Sequence, residues 1–164
     1  MKLKTILSEQ FAATNKQKNW FASLTDALEG LTFEQACWKP EDGDHSILQI
    51  VNHLYYWNKR MLNRMQHIPN DKMSSDNNST FGSENNKDAW LMLLEKSRIM
   101  MEEFENEIGK FDDAKLLSPV SDENKSPWYS VLSNTNLHNA YHIGQIVLLR
   151  KLQESWDSKK NGVN

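Results

Sequence analysis

One cysteine, six glycines and four prolines in 164 residues close off several classes of protein. Cys37 alone cannot form an intramolecular disulfide, so a disulfide-stapled scaffold is excluded. So few glycines and prolines supply too few turns for an all-β chain. Nineteen Lys and Arg against 22 Asp and Glu leave a net charge of -3, without the basic footprint that nucleic acid or an anionic membrane requires. No stretch reaches the roughly 18 consecutive apolar residues of a membrane span. Met1-Lys2-Leu3-Lys4 leads into no long apolar run, which is not the form of a signal peptide, and the expected compartment is the reducing cytoplasm.

The remaining composition is 38% hydrophobic and 25% charged, with six Trp, six Phe and four Tyr, an ordinary soluble mix rich in bulky core residues. A chain of this length buries roughly two-thirds of its unfolded surface, enough for one core. One domain over residues 1–156 is expected, followed by a frayed polar tail at 157–164.

Apolar spacing predicts four helices. Leu7, Phe11, Thr14, Phe21, Leu24, Leu28 and Leu31 lie at helical steps, predicting a first helix that ends near Gly30. Ser46 and Gln49 form a capping box ahead of Ile47, Ile50, Val51, Leu54, Trp57, Met61 and Met65, predicting a second helix that stops before Pro69. Residues 70–82, NDKMSSDNNSTFG, read as a long polar surface loop. Trp90, Leu94, Ser97, Met101, Phe104 and Ile108 predict a third helix from Ser83 or Glu84 to Gly109. Ser126-Pro127 predicts a fourth, with a capping hydroxyl and a proline at the first position, running to about Gln153. The expected fold is an all-α four-helix bundle, with a crossover between the second and third helices.

Steps of three and four along the fourth helix give Val131, Thr135, His138, His142, Gln145, Leu149 and Leu152, a stripe apolar at its ends and polar in the middle. Buried polar groups need partners, because each left unpaired costs about 1–3 kcal/mol. His138 and His142, four apart, project from one face within reach of one metal ion. His53 sits among Ile50, Leu54 and Trp57 on its own helix and can complete a set of three, leaving a coordination position open for chemistry. Neutral histidines donating to carbonyls would give the same pattern, and spacing alone does not decide between them. His45 and His67 lie at loop edges with surface roles, and Cys37 reads as an inert connector residue. Trp20, Trp90 and Trp128 read as core, Arg60 and Arg64 as a solvated face, and Trp57 as a wall of the pocket. The pocket mouth is expected from Trp38 to Asp44 and from Ser121 to Ser126.

The segments HSILQIVNHLYYW from His45 and NLHNAYHIGQIVLLRKL from Asn136, with Trp38-Lys39-Pro40 ahead of them, resemble the DinB-like (YfiT-like) metalloenzyme superfamily across nearly the whole chain. The resemblance implies a four-helix bundle with a crossover, and a divalent metal held by His53, His138 and His142. It also implies a homodimer. Asn139 and Gln145 match superfamily positions without a defined role. Gln145, one turn past His142, is a candidate hydrogen-bonding group behind the ligands or towards substrate.

His138-Asn139-Ala140-Tyr141-His142 lacks the glutamate that serves as base in H-E-x-x-H proteases, and no acidic residue falls on the inward stripes of the second and fourth helices. A metal must then activate the nucleophile, either water or a low-molecular-weight thiol. The superfamily includes transferases that use bacillithiol, mycothiol or glutathione, and also hydrolases. A thiol S-transferase acting on a small-molecule substrate is the preferred expectation. A metal-dependent hydrolase and a non-catalytic metal-binding stress-response module are the alternatives. Imidazole ligands suit zinc, nickel, copper and iron alike, so the metal is not readable from the sequence.

Overall fold

The computed structural model describes residues 2–17, 19–82 and 84–157. Among these the regular structure is helical: α1 (Leu3–Asn15), α2 (Leu24–Leu28), α3 (Phe33–Cys37), α4 (Ile47–Met65), a 3-10 turn (Asn78–Phe81), α5 (Lys87–Lys110), α6 (Asp113–Leu117) and α7 (Trp128–Leu152). The four long helices make the bundle, with α5 and α7 each packed against both α1 and α4. Phe11 of α1 stacks on Phe104 of α5 at 4.3 Å, and Trp90 and Trp128 are buried. Truncating either tryptophan to alanine would cost about 3–5 kcal/mol.

Helices α4 and α5 run parallel. Gln66 donates to Glu107 and Lys59 faces Glu103 near their C-terminal ends, while Leu48 and Trp90 line one cleft near their N-terminal ends. The intervening connection therefore returns along the length of α4, which is the expected crossover. Helix α7 runs the other way, bringing Asn139 to Asn58 and His142 to His53.

The capping signals held at α4. Ser46 Oγ accepts the Gln49 amide, and Gln49 Oε1 accepts the Ser46 amide at 2.9 Å. Helix α5 begins at Lys87 rather than at Ser83 or Glu84, because the Asn86 side chain caps it by accepting the Ala89 amide; Ser83 lies outside the described residues. Helix α7 has Pro127 at its N-cap and no side-chain cap, so the hydroxyl expected from Ser126 is not used.

Further expectations fail. The first helix breaks after Asn15, and Ser23 with Asp26 forms a fresh capping box for α2. The apolar series bridged this break with a seven-residue step from Thr14 to Phe21, with no apolar residue at the helical steps between them in the sequence. Gly30, at φ 68°, follows α2 as a left-handed residue, and Trp20 in the break is 86% exposed rather than in the core. Helix α7 is rotated from the expected stripe: it buries Trp128, Leu132, Asn136, Asn139, Ile143, Ile146 and Arg150, whereas Leu152 is exposed. His142 is buried at the edge of that face and His138 half-buried beside it. Residues 70–82 are no free surface loop, since Thr80 and Phe81 are buried against α4. Of the expected polar tail, residues 158–164 lie outside the described residues.

Candidate metal centre

His53 in the first half of α4 and His138 and His142 at the middle of α7 meet where the two helices face each other. His53 Nε2 stands 3.0 Å from His138 Nε2, and His142 Nε2 stands 3.2 Å from the same atom. Nitrogens about 2.0–2.1 Å from a shared ion lie about 2.9 Å apart at a right angle and about 3.3 Å apart at the tetrahedral angle. The observed separations fall in that range.

The outer ring nitrogens set the tautomers. Thr80 Oγ1 donates its one hydrogen to the Asn77 carbonyl at 2.6 Å, so it accepts from His53 Nδ1–H at 2.7 Å. Gln145 donates its amide N–H to the Tyr141 hydroxyl and accepts from His142 Nδ1–H at 2.6 Å. Both rings thus present bare Nε2 lone pairs to His138. With His138 neutral, at most one proton lies among three converging nitrogens, too few to bridge them. Extra protons are resisted. Burial, followed by repulsion from His142, His138 and His45, pushes His53 down to about 3; burial, followed by repulsion from His142, pushes His138 down to about 4. Burial also lowers His142, against the Gln145 hydrogen bond, which raises it. A divalent cation satisfies this donor set, and His53, His138 and His142 are the residues that would hold it.

Around the three rings the structure adds residues that sequence reasoning missed. Phe81 stacks on His53 with centroids 4.0 Å apart, and His45 stacks on the other side of the grouping, 3.8 Å from Phe81. His45 is therefore no simple surface histidine, and its buried Nδ1 has no hydrogen-bond partner among the described residues. The one signal for Phe81 was a lone aromatic in an otherwise polar run. Trp57 meets His53 edge-on at 6.4 Å, as expected of a wall. Gln145 backs His142. Asn139 acquires a role: it exchanges two hydrogen bonds with Asn58, at 2.7 and 3.0 Å, locking α7 to α4 beside the histidines.

Other expected positions stand apart. Ser121–Ser126 closes on itself at the start of α7, with Val120 donating to the Ser126 carbonyl, about 15 Å along the helix from His138. The Trp38–Asp44 connector leads into His45, which stacks on Phe81. His67 is exposed at the end of α4. Cys37 is half-buried, donates to Asn85 and is kept protonated, first by burial and then by Glu34. Arg60 is not merely solvated: it donates to the Met73 and Ser74 carbonyls.

The class so defined is an all-α bundle carrying three convergent imidazoles that could hold a metal ion. A family model of the DinB superfamily matches residues 17–146, and the chain belongs to that superfamily. No curated protein and no solved structure matches it. Among the described residues, no helix is long and apolar enough to cross a membrane.

Proposed function

We propose that the protein is a metal-dependent S-transferase that joins a low-molecular-weight thiol, of the bacillithiol type, to a small electrophile. The observation that carries this reading is the convergence of the His53, His138 and His142 Nε2 lone pairs in a cluster with no carboxylate among the described residues. A zinc, nickel or iron(II) ion bound there supplies a Lewis acid that lowers the pKa of the group it holds. A thiol, ionising near 8.5, needs far less help than water at about 15.7, so a site without a carboxylate base suits the thiol better.

The chain's own residues do the rest. Thr80 and Gln145 hold two imidazoles in the ligating tautomer, and Phe81 and Trp57 keep water from the His53 side. In the transfer the thiol loses its proton to bulk water, its sulfur bonds to the electrophilic carbon, and the leaving group departs with the electrons of the broken bond. The homodimer implied by the resemblance is supported by α7. Its outer face exposes Leu137, Tyr141, Leu148 and Leu152, and no Asp, Glu, Lys or Arg occurs from Trp128 to Leu149.

Elemental mass spectrometry of the protein purified without chelator, beside His142→Ala, is the first test. About one equivalent of metal in the parent and little in the variant is expected. Thiol-dependent consumption of monochlorobimane by the loaded parent then supports transfer. Substrate cleavage that ignores the thiol supports the hydrolase. A fall in melting temperature on chelation with no turnover supports the non-catalytic module. If neither form holds metal after loading with zinc, nickel and iron(II), the metal reading is wrong.

A further inference from the structure

The segment between α4 and α5 lies along a polar stripe of α4. Asn52 Nδ2 donates to the Thr80 and Gly82 carbonyls at 2.9 and 2.6 Å. Tyr56 donates to the Ser74 carbonyl at 2.9 Å, Arg60 to that of Met73 at 3.1 Å, and Asn63 to the Asn70 side chain at 3.0 Å. Residues 52, 56, 60 and 63 follow one another at helical steps on a face adjacent to His53. The stripe thus binds mostly backbone of the segment and delivers two of its side chains, Thr80 and Phe81, onto the His53 ring.

We propose that Thr80 is a positioning residue of the metal site, and that through it metal binding and the docking of residues 70–82 on α4 are coupled. The inference rests on the metal reading above. With the segment docked, the Thr80 hydroxyl accepts the hydrogen bond of His53 Nδ1–H and Phe81 stacks on the ring, so Nε2 faces His138 with its lone pair free. With the segment undocked, His53 loses both constraints. Its ring can then turn, and the Nε2–H tautomer, which cannot ligate through that atom, becomes accessible. A metal that binds the docked arrangement more tightly must favour docking by the same factor, because the coupling is reciprocal. Loss of such an outer partner lowers metal affinity by about 10–100-fold.

The test uses the full chain, stripped with chelator, and zinc affinity measured by competition with a chromophoric chelator. Thr80→Val keeps the branched shape and removes the hydroxyl, and it is expected to lower affinity by about 10–100-fold. Thr80→Ser restores the hydroxyl and is expected to stay close to the parent. Asn52→Ala touches no ligand and releases Thr80 only through its carbonyl; a smaller loss is expected there. Hydrogen exchange of the parent supplies a readout that needs no variant: zinc is expected to slow the amides of residues 76–82, and not to do so in Thr80→Val. Equal zinc affinity of Thr80→Val and parent, or exchange in the parent segment indifferent to zinc, overturns the coupling while leaving the metal site standing. A parent that binds no zinc overturns both.

Discussion

The His53 and His138 imidazoles are folded in their neutral form, which makes the metal-free protein sensitive to acid. Their folded values of about 3 and about 4 lie below the ordinary 6.5, so below that ordinary value the unfolded chain takes up protons that the folded chain refuses. Stability is full above pH 6.5 and is lost as the pH falls towards 4, by at most about 1.4 kcal/mol per pH unit for each group. Urea unfolding of chelator-treated protein between pH 7 and pH 5 should show this decline, and His53→Gln with His138→Gln should flatten it. An unchanged midpoint across the window would contradict the burial argument. The grouping of these histidines was legible in the sequence because histidine on an apolar helix face is a conflict that spacing exposes. Thr80 was not: a threonine in a polar run carries no sign of what it will touch, and only the return of the chain along α4 brings it to His53.

Among the elements, those with strong local chemistry were readable and those set by packing were not. The Ser46–Gln49 box set the start of α4, and the helix stops before Pro69 as expected, ending at Met65 ahead of a left-handed His67. The extent of α1 was misread because a sparse apolar series can step over a break. The rotation of α7 was misread because this helix is apolar or uncharged on nearly every face through Leu149, leaving periodicity little contrast. The most exacting position on α7 is Arg150, which is 3% exposed. Its guanidinium donates to the Ala27 and Glu29 carbonyls at 2.9 and 3.0 Å and to the Ser155 carbonyl at 2.8 Å, tying α2 and the residues after α7 to the bundle. Arg150→Met should fill the volume but leave those carbonyls unpaired, lowering stability by about 2–4 kcal/mol in denaturant unfolding. A loss below 0.5 kcal/mol, the level of an ordinary surface change, would mean that water replaces these bonds without cost.

At the scale of the molecule, the class was legible from four amphipathic segments and a connection long enough to cross over. Which side of α7 would be left outside was not. Its exposed leucines and Tyr141 form an apolar face on one helix, and faces of this kind on soluble proteins mark contact surfaces. Sedimentation equilibrium should give twice the chain mass for the parent and the single mass for Leu137→Glu with Leu148→Glu. A monomeric parent would remove the dimer and leave the face without that explanation.

The two sides of the histidine cluster are 85 residues apart in the chain, from His53 to His138. At a synthesis rate of about 5–20 residues per second, roughly 4–17 s pass between the making of the first of these histidines and the second. During that interval α4 and then α5 are complete, yet the growing chain has one imidazole where three are needed. An ion held by all three imidazoles would therefore have to wait for the last helix, and a chain that stops short of His138 carries one histidine of the three. The long sequence separation of these histidines means that their cluster exists only once synthesis has reached the final helix and that helix has packed.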